Sequence, residues 1–301
     1  MAISGERIGF LGLGIMGSRM AANVRRAGFD LTVWTHTSGK AAAWAAEHGA
    51  TAVATPAEVA AASDIVISIV VDGAQVESVL LGEGGVVAAA RPGLLCIDMS
   101  TILPADTRRI GEALASHAVA MLDAPVTGSS PRAEAGTLTI MVGGETAEVQ
   151  RARPVLEAMG ELIVHVGPLG HGATLKVINQ ALAAANITAV AEALVLAQAT
   201  ELDLDALVNV ISNGSGGSAM LELKSAAMRA HDYTTMFKTE HLLKDVGLSL
   251  ATAAAAGVPF PSAAHAGDLL ESTVADGHAS DDFSAVIEAV EKRAGVRLGD
   301  S

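Results

Sequence analysis

The chain has 301 residues, half of them apolar, which is enough for one large core or two smaller ones. With 19 Lys and Arg against 33 Asp and Glu its formal charge is −14, and no basic run offsets it, so nucleic acids and anionic membranes are excluded as expected partners. A single cysteine, Cys96, excludes internal disulfides and thiolate metal clusters and suits a reducing compartment; no export leader precedes the first apolar run, so the expected location is the cytoplasm.

Residues 7–11 predict a short strand, followed by Gly12-Leu13-Gly14-Ile15-Met16-Gly17 and a helix over 18–27 that Gly28 stops. Gly-x-Gly-x-x-Gly between a strand and a helix is a dinucleotide-binding turn. The first glycine permits the tight turn, the second lets a pyrophosphate approach the backbone, and the third lets helix and strand pack closely. The helix start then offers free N–H groups to the phosphates. A second strand over 31–35 ends where such folds choose between a ribose hydroxyl and a 2′-phosphate. The residues there are Thr35-His36-Thr37-Ser38-Gly39-Lys40. No carboxylate repels a phosphate, and hydroxyls, an imidazole and an ammonium can meet one, so the expected cofactor is NADP. NAD stays possible because no arginine is present to hold the phosphate.

The alternation continues with helices over 40–48 and from Pro56, and strands over 51–53, 64–71 and 94–99, the last placing Ser100 and Thr101 at a carboxyl end before Pro104 opens a helix. After a strand over 118–122, Asp123-Ala-Pro125-Val-Thr127-Gly128-Ser129-Ser130-Pro131 reads as a loop too rich in hydroxyls and glycine for a core. Strands over 137–142 and 161–166 flank a helix over 145–159. The expected fold is α/β, with a doubly wound, parallel Rossmann sheet over residues 1–166.

Beyond residue 166 the strands stop, and helices are predicted over 204–212, 217–229, 239–256, 262–276 and 282–294, giving an all-α domain over 167–301. A long helix over 173–200 joins the two. It is apolar on every side and so expected to be buried, while Asn186 and Glu192 in mid-segment argue against a membrane span. Lys176 and Asn179 share one face near its start. The spacing alone leaves open whether that lysine is a snorkelling surface residue or a functional group. The nine histidines show no ligand spacing, so no metal is expected, and His278 beside Asp276, Asp281 and Asp282 reads as a solvated acidic turn.

Four stretches stand in the order of one family: Phe10-Leu-Gly-Leu-Gly-Ile-Met-Gly17; Asp123-Ala-Pro-Val-Thr-Gly-Ser129 with Ala133-x-x-Gly136-Thr-Leu; Gly167-x-x-Gly-x-Gly-x-x-x-Lys176-x-x-Asn179; and Phe237 with Lys244-Asp245. Over nearly its whole length the chain resembles the β-hydroxyacid dehydrogenases, the family of 3-hydroxyisobutyrate dehydrogenase and tartronate semialdehyde reductase. The resemblance implies interconversion of a small β-hydroxyacid and its semialdehyde by hydride transfer, with a short carboxylated alcohol or aldehyde as substrate and a homodimer or homotetramer as assembly. It implies Lys176 as catalytic acid/base and Asn179 as the neighbour that holds substrate. Thr127, Gly128 and Ser129 match the place where the family usually carries Ser-Gly-Gly and grips the substrate carboxylate, with Ser129 narrowing that loop. Val70, Val71 and Thr101 match positions lining the cofactor, and Lys244 matches one on its nicotinamide side. Two other readings stand beside this one. Imine reductases share the fold but generally lack the lysine, and a non-catalytic redox-sensing module would have no need of Lys176 and Asn179 together.

Overall fold

The structure, a computed structural model, describes residues 5–299. The chain divides into two compact units between Lys176 and Val177. The first contains β1 (Ile8–Leu11), α1 (Ile15–Arg26), β2 (Leu31–Trp34), α2 (Lys40–His48), β3 (Thr51–Ala52), α3 (Pro56–Ala62), β4 (Ile65–Ser68), α4 (Gly73–Leu81), β5 (Leu95–Asp98), α5 (Pro104–Ala115), β6 (Ala120–Asp123), β7 (Val126–Thr127), α6 (Ser129–Ala135), β8 (Leu138–Gly143), α7 (Thr146–Glu157) and β9 (Gly160–Gly167). Six strands run parallel in the order β3-β2-β1-β4-β5-β6, the doubly wound order. The extra strands form an antiparallel extension, in which β8 pairs antiparallel with both β6 and β7 and parallel with β9.

Alternation along the central strands sends side chains to both faces. Ile8, Phe10, Ile65, Ile67, Leu95 and Ile97 pack with α1 and α7, whereas Leu11, Val66 and Cys96 pack with α3, α4 and α5. A sheet covered on both faces needs apolar residues at every position, which is why these strands read as unbroken apolar runs.

The second unit is helical. It holds most of α8 (His171–Ala199), then α9 (Leu204–Ser212), α10 (Ala219–Arg229), α11 (Thr239–Ala255), α12 (Pro261–Thr273) and α13 (Val286–Ala294). Ala184, Ile187, Ala191, Leu194 and Val195 form one face of α8 and pack with Leu221, Leu242, Val246, Leu270, Val286 and Ile287. The helix is long and apolar enough to cross a membrane, yet just over half of its most apolar window is buried inside the protein. It is not buried all round, as its composition suggests, for Leu182 and Leu196 are 54% and 66% exposed.

Local chemistry moves several boundaries. The first helix starts at Ile15, because Gly14 is its extended N-cap, so Ile15, Met16 and Gly17 form the first helical turn. The strand expected over 64–71 stops at Ser68, and the Val70 N–H bonds Ser100 Oγ, which puts Val70 and Val71 in a loop. Helix α4 escapes the apolar reading although Asp72 caps it by accepting from Gln75 N and Val76, Val79 and Leu80 form its buried face. The hydroxyl-rich loop holds a short strand and then a helix, α6, ended by Gly136 at φ +71°. The last helix starts at Val286, after a 3₁₀ turn capped by Asp282.

Asp282 also corrects the solvated acidic turn. Its buried Oδ1 accepts from Lys224 Nζ at 2.8 Å and from Ser284 N, and Oδ2 accepts from Met236 N and Phe237 N, so one carboxylate ties α10 to the loop ahead of α11. His278 pairs with Asp281 at 2.7 Å, and Asp276 pairs with Lys292. Replacing Asp282 by Ala strands a buried ammonium and should cost about 3–5 kcal/mol. The double replacement Lys224→Met with Asp282→Leu should not restore stability, because three backbone N–H groups then lack an acceptor. Urea unfolding followed by circular dichroism measures both.

Candidate functional site

The glycine turn is built by contact. Gly12 has φ +104°, and a Cβ there would lie 2.2 Å from the Ile69 carbonyl oxygen; a Cβ on Gly17 would lie 2.1 Å from the Gly12 oxygen. Only hydrogen fits at either. Gly14 differs, being exposed with nothing within 4 Å of a Cβ, and no side chain caps the helix it opens. The first helical turn has N–H groups without partners inside the helix, and the space beside Gly14 is open, which fits a pyrophosphate approaching the backbone. Leu13 is fully buried, Met16 half-buried and Ile15 exposed.

Thr35 sits just past β2 and accepts from Leu13 N at 3.5 Å, so the second-strand loop adjoins the glycine turn. His36, Thr37 and Lys40 are exposed, with Lys40 opening α2. Val70 packs close to Gly12, Val71 is exposed, and Thr101 is half-buried after β5. The carboxyl ends of β1, β2 and β4 therefore bring Gly12–Gly17, Thr35 and Val70 together, and the Val70–Ser100 bond adds the end of β5. This is the edge at which ligands bind doubly wound sheets.

A second constellation gathers at the end of β6. The buried Asp123 carboxylate accepts from Gly170 N (Oδ1, 2.8 Å) and Ala173 N (Oδ2, 2.6 Å), which are donors that the start of α8 leaves unpaired. Burial holds the Asp123 pKa above the ordinary carboxylate range, although both N–H donors oppose the shift. Lys176 lies in the second turn of the anchored helix and is 7% exposed, so it is not a surface lysine. Thr127 pairs with Thr139 at the end of β7, and Gly128 (φ +134°) and Ser129 (φ +58°) follow in left-handed conformations. All three are half-buried.

In the helical unit, the Asn179 amide donates to Gln180 Oε1 at 3.2 Å, and Gln180 Nε2 donates to the buried Asp245 Oδ2 at 2.7 Å. Lys244 Nζ lies 3.1 Å from Asp245 Oδ1. Asn179 and Lys244 are thereby linked through two buried side chains. The same unit brings His231, Glu288 and Glu291 close enough to hold a metal, a grouping invisible in the spacing. Their atoms are already engaged: Tyr233 and Arg297 bond Glu288, and His231 and the Leu298 N–H bond Glu291.

Neither Asp98 nor the anchoring role of Asp123 is foreseen from the sequence, and Gln180 stands out there only as a polar residue on an apolar helix. The available signal was an acid closing an apolar strand at Asp98 and again at Asp123.

The two glycines should separate under mutation. Gly12→Ala should lower the melting temperature, costing at least ~1 kcal/mol through strain. Gly14→Ala should melt as wild type yet bind a nicotinamide dinucleotide more weakly, as read by fluorescence titration.

Comparison with known proteins identifies the family. Residues 7–167 match the NAD binding domain of 6-phosphogluconate dehydrogenase, and residues 170–290 match the NAD-binding domain of NADP-dependent 3-hydroxyisobutyrate dehydrogenase. The chain is 38% identical to 2-hydroxy-3-oxopropionate reductase of Escherichia coli over 97% of its own length and 99% of that protein's. It is 36% identical to the NAD-dependent L-serine dehydrogenase of Pseudomonas aeruginosa, with 93% and 96% covered. The solved structure of 3-hydroxyisobutyrate dehydrogenase from Mycobacterium tuberculosis with L-serine superposes with a TM-score of 0.87 at 37% identity, covering 95% of this chain and 99% of that one. The chain belongs to the β-hydroxyacid dehydrogenase family, oxidoreductases built on an NAD(P)-binding Rossmann domain.

Proposed function

We propose that this protein is an NADP-preferring enzyme that interconverts a small β-hydroxyacid and its semialdehyde, with Lys176 as the general acid/base. The observation that carries the reading is a buried lysine in the second turn of a helix whose first turn is fixed to the sheet by Asp123. When bound, the reduced nicotinamide supplies a hydride to the carbonyl carbon. Lys176 then donates a hydrogen bond and a proton to the oxygen on which charge develops, and takes the proton back in the oxidative direction. Asn179 holds the same oxygen end of the substrate, its amide oriented through Gln180 and Asp245. Thr127 and the backbone of Gly128 and Ser129 hold the carboxylate, and Lys244 is assigned to the nicotinamide by the family resemblance alone.

For the cofactor, Gly12, Leu13, Gly14, Ile15, Met16 and Gly17 cradle the pyrophosphate, while Val70, Val71 and Thr101 line the bound dinucleotide. Thr35, His36, Thr37 and Lys40 receive the 2′-phosphate. The preference for NADP rests on donors at an exposed loop that lacks a carboxylate. It is moderate, since a relative named as NAD-dependent aligns over nearly the whole chain. A cytoplasmic setting suits the one, buried cysteine. A homodimer or homotetramer suits the exposed Leu182, Leu196, Val210 and Leu223 of the helical unit.

Lys176→Ala should lower kcat by about 10²–10⁴-fold with dinucleotide affinity kept within a few-fold. Near-normal turnover with a panel of semialdehydes and NADPH would refute the assignment. Thr35→Asp should reverse the ratio of kcat/KM for NADPH to that for NADH, because a carboxylate repels the phosphate and accepts from free ribose hydroxyls. A wild-type ratio below one would show that the protein uses NAD without the acid.

A further inference from the structure

Asp98 closes β5 with its side chain inside the protein, 1% exposed, and among the described residues it forms no ion pair. Its Oδ1 accepts from Ser68 Oγ at 2.8 Å, Ser100 Oγ at 2.7 Å and Ser100 N at 3.3 Å. Ser100 Oγ in turn accepts from Val70 N at 2.9 Å. One carboxylate oxygen thus ties the end of β4 to the end of β5. The chain of bonds terminates on a loop residue whose side chain lies against the glycine turn, since a Cβ on Gly12 would stand 3.4 Å from Val70 Cγ1.

We propose that Asp98 is a positioning residue for the nicotinamide dinucleotide, fixing the loops after β4 and β5 at the spacing at which Val70 and Thr101 line it. The inference rests on the assignment of those two residues to the cofactor. Charge-assisted bonds from two hydroxyls and an N–H are stronger and more directional than the same bonds to a neutral amide, so the ionised form holds the loops tightest.

Burial disfavours that charge. Burial pushes the Asp98 pKa up to about 6, against the opposing Ser100 and Ser68 bonds, and Asp123 on the neighbouring strand adds to the rise. The other titratable neighbour is Cys96, whose thiol burial and Asp98 together push up to about 12. A carboxyl whose pKa is raised by folding contributes stability that is present below the ordinary Asp range and lost as pH rises through the folded value. Near neutral pH the ionised Asp98 therefore costs the fold stability.

The test compares wild type, Asp98→Asn and Ser100→Ala by fluorescence titration with NADPH and NADH, alongside thermal melting. At about pH 8, Asp98→Asn should melt at the wild-type temperature or above while its dinucleotide Kd rises about tenfold. Ser100→Ala, which cuts the link to Val70, should also raise Kd. Wild-type affinity should fall as pH drops through about 6, and Asp98→Asn should lack that step. Unchanged Kd in both variants, or a Kd rise matched by a fall in melting temperature, overturns the inference while leaving the cofactor assignment standing. A wild-type protein that binds neither dinucleotide overturns both.

Discussion

The start of α8 hangs on a single buried carboxylate. The first turn of any helix exposes N–H groups with no partner in the helix, and here two of them, on Gly170 and Ala173, end on the oxygens of Asp123. Such charge-assisted bonds away from water are short and directional. The carboxylate is itself fixed, being the last residue of β6 and in register with Asp98 on β5. The position of Lys176, one turn beyond the anchored residues, is thereby set by the sheet. Any chemistry proposed for that lysine inherits its precision from this contact.

The same edge explains how an acidic protein can hold an anionic dinucleotide. Net charge of −14 offers no general attraction, so the holding forces must be local and made largely of backbone. Gly12 and Gly17 press the turn against Ile69, just past β4, until no side-chain atom fits, and the first turn of α1, which no side chain caps, has open space beside it at Gly14. The loops after β4 and β5 then follow the turn, because Val70 packs on Gly12 and is bonded through Ser100 to Asp98.

The helical unit uses buried polar groups differently. Asp282 satisfies an ammonium and three backbone N–H groups at once, with Lys224 Nζ also lying 4.7 Å from the centre of the Phe283 ring. A polar group so fully satisfied specifies one loop conformation, which apolar packing alone would leave looser. Asp245 acts likewise on side chains. By accepting from Gln180 Nε2 it turns the Gln180 oxygen toward Asn179, and so decides which way the Asn179 amide points.

Much of this was legible in the sequence because it depends on local rules. The glycine spacing after an apolar strand, the alternation of short apolar runs with helical periods, and the cessation of strands after residue 166 follow from hard-sphere sterics and from burial on two faces. Those constraints act within a few residues. The order of four motifs, through the family they resemble, was enough to name Lys176, Asn179 and the Thr127–Ser129 loop as candidates, where helical spacing alone left Lys176 open. The tertiary structure alone decided what depends on partners distant in the chain. Asp123 and Gly170 are 47 positions apart, Gln180 and Asp245 65, Lys224 and Asp282 58. No periodicity encodes such pairings. An aspartate looks alike in sequence whether it meets water, as the turn at Asp282 was expected to do, or is buried among donors, as Asp282, Asp98 and Asp123 are. The difference lies in which donors the fold brings to it, and that is a property of the packed chain.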